Sequence, residues 1–202
     1  MKLKKNRNPA VPGFKASGLS CGIKAKNNKD LALIVSDVPA TAAGVFTKNR
    51  VVSPSVTWSR RALEKSDRCR AIIVNSGNAN AVVGPKGMKD CEAITKKISE
   101  ELSIPQKEVL IASTGVIGVP LPSDKILKAA PELVKKLRRT AKNWIDAAEA
   151  IMTTDLVLKS DSIQYTFQGK RISLGGITKG SGMIHPNMAT MLGFLYTDAV
   201  ID

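Results

Sequence analysis

The chain has 202 residues, of which 43% are hydrophobic and 24% are charged, and its formal net charge is +14. This composition is that of a globular protein and excludes a disordered, collagen-like or low-complexity chain. No apolar run approaches the ~18 residues that a membrane span requires. The basic first 15 residues also lack the apolar stretch of a secretory signal.

The first half of the chain predicts strands and helices in alternation. Residues 31–36 and 43–47 are short apolar runs typical of strands, and residues 56–65 have helical character. Residues 71–74 predict a buried strand. We expect a shaped loop over residues 75–81 because that segment is too rich in Asn and Gly to continue a strand.

The second half predicts more helices and a hairpin. Apolar residues at every third or fourth position from Met88 to Leu102 indicate an amphipathic helix. The remaining expectations are a buried strand over 109–112, a helix N-capped by Ser123 and interrupted or kinked near Pro131, a helix over 140–152, and a β-hairpin over 163–174 that turns at 168–170. Residues 1–12 are expected to be a flexible basic arm, and residues 13–202 a single α/β domain.

The segment from Gly175 onward holds five of the 15 glycines and only three charged residues, Lys179, Asp198 and Asp202. This pattern predicts a buried segment whose backbone passes close to another group. Lys179 then requires an anionic partner, because burying an unpaired ammonium is costly. The run 175–182 lacks the spacing of a phosphate-binding loop, and Ser181 lacks the context of a hydrolase nucleophile.

The sequence is not typical of a metal site or of a nucleic-acid-binding surface. His185 is the only histidine, and the cysteines Cys21, Cys69 and Cys91 form no CxxC pair, so we expect no zinc site and a reduced, cytoplasmic protein. The net charge would suit nucleic acid or an acidic membrane, but aromatic residues are only 4%. A solvated basic face is the simpler interpretation.

Two short motifs are ambiguous when taken alone. Ser113, Thr114 and Gly115 end an apolar strand, where they could form an oxyanion hole or an ordinary turn. Ala189 and Thr190 could be no more than the start of a strand.

Five sequence blocks in order resolve this ambiguity. They are residues 43–50 (AGVFTKNR), 75–81 (NSGNANA), 113–118 (STGVIG), 150–155 (AIMTTD) and 179–192 (KGSGMIHPNMATML). Together they resemble the ornithine acetyltransferase family, the bifunctional glutamate N-acetyltransferases of arginine biosynthesis. The resemblance runs from about Gly13 to the C-terminus, and Val82-Val83 is a small departure from the family pattern.

The resemblance implies an α/β fold of layered mixed sheets with flanking helices, like the family's self-processing N-terminal-nucleophile-like fold. It implies self-cleavage between Ala189 and Thr190, after which Thr190 is the nucleophile. The chain up to Ala189 would be an alpha chain. Thr190 and the 12 residues after it would be the start of a beta chain. The missing C-terminal half would supply the rest of the beta chain, in a heterotetramer of two alpha and two beta chains.

The resemblance also implies an activity and its residues. The acetyl group of N2-acetylornithine would pass to glutamate through an acetyl-Thr190 intermediate, with acetyl-CoA as an undecided second donor. Thr114 and Gly115 would hold the oxyanion, and Thr153, with Thr154 as its neighbouring alternative, Lys179 and Thr190 would bind substrate. No cofactor, metal, nucleic acid or membrane is implied. Two alternatives stay open: a related self-processing amidohydrolase or aminopeptidase, and a basic binding domain without enzymatic activity.

An N-terminal threonine suits this chemistry for a physical reason. A threonine hydroxyl is a weak nucleophile that needs a base. A free α-amine has a pKa near ~7.7–8.0 and lies within reach of the hydroxyl of the same residue. Cleavage before Thr190 would therefore have to precede acetyl transfer.

Overall fold

The computed structural model describes residues 8–182 and 191–201, together with the backbone of residues 4–6. The elements in chain order are β1 (Lys4–Asn6), β2 (Phe14–Leu19), β3 (Leu31–Thr41), α1 (Pro54–Lys65), β4 (Arg68–Asn78), α2 (Lys86–Leu102), a 3₁₀ turn (Gln106–Glu108), β5 (Val109–Val116), α3 (Ser123–Lys135), α4 (Ala141–Ile151), β6 (Lys159–Phe167), β7 (Lys170–Lys179) and β8 (Leu192–Thr197).

The first sheet has the strand order β2-β3-β4-β5 and is covered on both faces. Its β4–β5 pair is parallel and the other pairs are antiparallel, so the sheet is mixed. Leu31 and Leu33 of β3 pack in a core with α2 and α3, whereas Ala32 and Ile34 pack in a second core with α4. Burial of both faces explains why β3 begins as a continuous apolar run rather than an alternating one.

The second sheet is antiparallel, with the order β1-β6-β7-β8. Ile177 of β7 and Tyr196 of β8 share a core with α4 and with the second face of the first sheet. The ring of Tyr196 stacks on Trp144 of α4 with 4.1 Å between centroids. Helix α4 therefore joins the two sheets, and layered mixed sheets with flanking helices are confirmed as the fold class.

Most of the predicted elements are present. Residues 31–36 open β3, residues 56–65 lie in α1, and residues 88–102 lie in α2. The hairpin of β6 and β7 turns at Gln168 and Gly169, whose positive φ angles of 50° and 76° fit a two-residue hairpin turn. The expected close approach of the glycine-rich segment is also confirmed, because a Cβ at Gly175 would lie 2.7 Å from the carbonyl oxygen of Pro9.

Four local predictions were wrong. Residues 43–47 form no strand, and β4 continues through residues 75–78 with an irregular register instead of ending in a loop. Ser123 is the first helical residue of α3, so Pro122 takes the N-cap position. Helix α3 runs through Pro131 without interruption.

The N-terminal segment also differs from the expected flexible arm over residues 1–12. Residues 4–6 form β1, which pairs antiparallel with β6. Val11 is buried in the core beside α4. The described part of this segment is therefore integrated into the second sheet and its core.

Candidate active site

The predicted oxyanion residues lie at the carboxyl ends of two parallel strands. Thr114 of β5 pairs in register with Ser76 of β4, and Gly115 pairs with Gly77. Gly115 has a φ of 136°, and a Cβ there would lie only 2.3 Å from the carbonyl carbon of Gly77. Only glycine fits this position, so the two strands approach closely at the place where Thr114 presents its side chain.

A buried polar network supports these strand ends. The Ser113 hydroxyl donates to Asn75 Oδ1 at 2.7 Å and lies 2.7 Å from the Ser55 hydroxyl of α1. The Asn75 amide nitrogen donates to the carbonyl oxygen of Asn78 at 2.8 Å. These contacts satisfy the side chain of Asn75, the first of the polar residues for which a loop was expected, so the strand continues at that position.

Lys179 connects the two sheets at the site. It is the last residue of β7, only 4% of its surface is exposed, and its Nζ donates to Thr114 Oγ1 at 3.2 Å. Burial lowers the pKa of Lys179, the charge of Asp155 raises it, and the ammonium of Lys159 lowers it further. The resemblance assigned Thr114 and Lys179 to one site, and the fold brings these two side chains into contact.

Asp155 is the carboxylate beside Lys179. Its side chain is fully buried and accepts hydrogen bonds from Lys159 Nζ at 2.6 Å, the Gly180 amide at 2.8 Å and the Thr153 amide at 3.3 Å. Burial alone would raise the pKa of Asp155, but these hydrogen bonds outweigh it and hold the pKa at about 2. The group is therefore ionised at neutral pH.

A third lysine adds positive charge. Lys24 Nζ donates to the carbonyl oxygens of Met152 at 2.6 Å and Lys29 at 2.8 Å. Burial lowers the pKa of Lys24, the charges of Asp30 and Asp155 raise it, and the charge of Lys179 lowers it. Lys159 is bonded to the Asp155 carboxylate, and the charges of Lys24 and Lys179 also interact with it, which makes this end of the molecule suited to an anionic ligand.

Of the remaining predicted site residues, the structure describes Thr153 and Thr154. Thr153 is partly buried and Thr154 is exposed, with its Oγ1 3.9 Å from where a Cβ would stand on Gly182. Ala189 and Thr190, and also His185, lie outside the described residues. A Cβ on Gly180 would lie 3.4 Å from Cγ of Met191. The described residues before and after the segment 183–190 are therefore close together at the site.

Sequence reasoning missed the roles of Asp155, Lys24 and Asn75. Asp155 ends the block AIMTTD and Asn75 opens NSGNANA, so both were quoted without a function. Lys24 carries no sequence signal, because only the fold brings it into contact with Met152, which is 128 positions away in the chain.

Among the described residues, no group of three or more histidine, cysteine or acidic side chains is arranged to hold a metal ion. No helix in residues 8–182 has the length and apolarity to cross a bilayer.

Comparison with known proteins identifies the family. The sequence model of the ArgJ family matches residues 15–202. The chain is 49% identical over 191 residues to the arginine biosynthesis bifunctional protein ArgJ of Caldanaerobacter subterraneus, which covers 94% of this chain and 46% of that protein. It is 50% identical over 188 residues to the ArgJ of Thermotoga neapolitana, and the match covers 93% of this chain and 46% of that protein.

Solved structures agree with this similarity. The ArgJ crystal structure from Bacillus halodurans superposes with a TM-score of 0.88 and 39% identity, covering 93% of this chain and 98% of that chain. Ornithine acetyltransferase from Mycobacterium tuberculosis, solved in complex with ornithine, superposes with a TM-score of 0.85 and 37% identity. The match covers 93% of this chain and 100% of that chain. The chain spans less than half the length of the curated relatives. With the family model matching nearly its whole length, the chain belongs to the ArgJ family.

Proposed function

We propose that this chain is the N-terminal part of an N-acyltransferase of arginine biosynthesis that moves the acetyl group of N2-acetylornithine to glutamate. The observation that carries the proposal is the buried hydrogen bond from Lys179 to Thr114, next to Gly115. It joins a predicted substrate-binding residue to a predicted oxyanion residue in one polar centre. The names of the relatives, bifunctional ArgJ and ornithine acetyltransferase, support the same activity.

Thr190 is the proposed nucleophile. Its neighbour in the chain, Met191, packs against Gly180, the residue after Lys179. This contact of Met191 supports a site in which Thr190 works with Lys179 and Thr114.

The proposed reaction begins with cleavage of the chain. The Thr190 hydroxyl attacks the Ala189 carbonyl carbon, the peptide C–N bond breaks as the nitrogen takes a proton, and the resulting ester is opened by water. The products are a free carboxylate on Ala189 and a free amine on Thr190. That amine then serves as the base for its own hydroxyl.

Acetyl transfer follows in two half-reactions. Thr190 attacks the acetyl carbonyl of N2-acetylornithine, and ornithine leaves. The amine of glutamate then attacks the acetyl-Thr190 ester, and N-acetylglutamate leaves. Both substrates carry an α-carboxylate, which Lys179 would bind, and Thr153, or its neighbour Thr154, would add a hydroxyl contact.

Thr114 and Gly115 would stabilise the negative oxygen of each tetrahedral intermediate. The Thr114 oxygen accepts from Lys179, so its own proton is left to point at the substrate. A hydroxyl polarised in this way is a stronger donor. One such donor is typically worth ~2.7–4 kcal/mol of barrier.

The lengths of the relatives support cleavage. This chain covers 46% of the curated Caldanaerobacter protein but 98% of the crystallised Bacillus chain. The crystallised chain is therefore much shorter than the curated protein of the same name. We propose that the second half of the protein forms a beta chain, that two alpha and two beta chains assemble, and that the enzyme works in the cytoplasm.

Intact-mass measurement of the full-length protein tests the proposal. We expect two fragments separated before Thr190, and acetyl transfer from N2-acetylornithine to glutamate. Thr190→Ala should abolish both cleavage and transfer, whereas Thr190→Ser should retain some cleavage because the hydroxyl remains. Cleavage at the same bond in Thr190→Ala would refute the assignment.

The same assays separate the alternatives. Acetate release without any need for glutamate would indicate an amidohydrolase. An uncut wild-type chain that binds nucleic acid with a steep salt dependence would indicate a basic binding domain. Replacing N2-acetylornithine with acetyl-CoA decides whether that second donor is used.

A further inference from the structure

We propose that Asp155 is a positioning residue of this site, whose carboxylate fixes the backbone at Gly180 and Thr153 and thereby sets where Lys179 meets the substrate. The proposal deepens the proposed function and rests on it. Asp155 would not contact substrate itself.

The geometry of the carboxylate carries the argument. Asp155 Oδ1 accepts from the Gly180 amide at 2.8 Å, and Oδ2 accepts from the Thr153 amide at 3.3 Å. Gly180 follows Lys179 directly, and Thr153 lies in the segment after α4. A single buried side chain therefore ties the end of β7 to the segment that carries the other predicted substrate contact.

The place of Gly180 explains why a carboxylate is used. The register between β7 and β8 ends with Lys179 opposite Leu192, so the Gly180 amide lies beyond the ladder. This partly buried amide therefore needs an acceptor other than a neighbouring strand. Hydrogen bonds to an ionised acceptor are shorter and stronger than neutral ones, so the Asp155 carboxylate anchors this backbone firmly.

Charge adds a second link between Asp155 and Lys179. The ammonium groups of Lys24, Lys159 and Lys179 all lie in the field of this carboxylate, and Asp30 also acts on Lys24. Lys159 opposes the protonated form of Lys179, whereas Asp155 favours it. Loss of the carboxylate would therefore weaken the charge that Lys179 presents to a substrate carboxylate.

The test is Asp155→Asn in the full-length protein, with two readouts that do not need catalysis. The Gly180 amide should exchange with deuterium about tenfold faster or more, because hydrogen bonds to charged groups are worth roughly 1.5–3 kcal/mol. The pKa of Lys179, measured by NMR of its side chain, should fall. The kcat/KM for acetyl transfer should fall on the order of 10²-fold, the usual cost of a misplacement near 1 Å.

A matched control separates positioning from stability. Asp146→Asn removes another paired carboxylate, on α4, that bonds Lys29 and Lys142 instead. It should change neither the Gly180 exchange nor the Lys179 pKa.

The outcomes are distinct. Unchanged Gly180 exchange and Lys179 pKa in folded Asp155→Asn would overturn the proposal, and so would the same two changes in Asp146→Asn. If melting curves show that Asp155→Asn is unfolded, Asp155→Glu decides: it should keep the Lys179 pKa but lower kcat/KM, and unchanged kinetics would overturn the proposal. The wild-type protein could lack transferase activity while Asp155→Asn still changes the Gly180 exchange and the Lys179 pKa. That result would refute the proposed function and leave the positioning role intact.

Discussion

At the scale of single residues, the hydrogen bond between Lys179 and Thr114 would tie the proposed substrate binding to the proposed oxyanion stabilisation. The Lys179 Nζ stands 3.2 Å from Thr114 Oγ1 in a buried site. An ammonium has three donor hydrogens, so Lys179 can hold this oxygen and a substrate carboxylate together. The two residues should therefore be coupled in catalysis.

Lys179→Met should raise the KM for both N2-acetylornithine and glutamate, because both present an α-carboxylate to the same pocket. Methionine keeps the apolar length of the side chain and removes its charge, so loss of packing is limited. Steady-state kinetics with each substrate varied, beside a melting curve, measure this. An unchanged KM for both would remove Lys179 from the site, and a rise for only one would contradict a shared pocket.

Thr114→Ala should slow transfer by roughly 10²-fold or more if its hydroxyl stabilises the oxyanion. A rate within about threefold of wild type would move that role to the Gly115 amide. In the double variant with Lys179→Met, the losses in kcat/KM should not multiply, since side chains in contact are not independent. Fully multiplicative losses would show that the observed hydrogen bond has no part in catalysis.

At the scale of elements, the parallel pairing of β4 with β5 builds the site. Gly115 lets the strands approach, because a side chain there would collide with the backbone at Gly77 and Asn78. The strand ends would have to separate to accept a methyl group. That separation would also move Thr114, the neighbour of Gly115 in the chain.

Gly115→Ala should therefore destabilise the protein by about 1–3 kcal/mol, the usual cost of overpacking, with added strain from its positive φ. Gly118→Ala is the matched control, since Gly118 also has a positive φ, of 81°, but no atom within 4 Å of a Cβ. Gly118→Ala should lower the free energy of unfolding clearly less than Gly115→Ala. Chemical denaturation of both variants measures the difference, and equal losses would show that the close approach of the strands contributes nothing.

At the scale of the whole molecule, paired carboxylates make the fold sensitive to acid. Hydrogen bonds hold the pKa of Asp155 at about 2, against burial, which would raise it. The Arg139 and Lys15 side chains lower the pKa of Asp37, and hydrogen bonds from Lys142 and Lys29 outweigh burial to lower that of Asp146. These groups span both sheets and α4.

Stability should therefore fall as the pH drops from about 4 to about 2. A carboxyl whose folded pKa is lowered stabilises the fold above its unfolded pKa, and that contribution is lost as it protonates. For Asp155 the loss is roughly 2 kcal/mol, at 1.36 kcal/mol for each pKa unit. Melting temperatures across this range measure it, and Asp155→Asn should flatten part of the slope; an unchanged slope would contradict the pairing of Asp155.

The sequence by itself determined the layered α/β fold class, most helices and the hairpin. The spacing of apolar residues in α2 and β3 reflects which faces of these elements are buried, so it can be interpreted before the fold is known. It also determined the family, because the blocks ending in KGSGMIHPNMATML match in order. The roles of Ala189 and Thr190 remain predictions, since they lie outside the described residues.

Only the tertiary structure decided that residues 75–78 continue β4, because the fold brings partners to their polar side chains: the Ser113 hydroxyl to Asn75, the Ala150 carbonyl to Ser76 and the Val119 carbonyl to Asn78. It alone placed β1 on β6 and Lys24 beside Asp155, through contacts between residues far apart in the chain. Two of the three hydrogen-bond donors to Asp155, the Thr153 amide and the Lys159 ammonium, are close to it in the chain. The third, the Gly180 amide, is 25 positions away and reaches it only because β6 and β7 pair and bring their ends together.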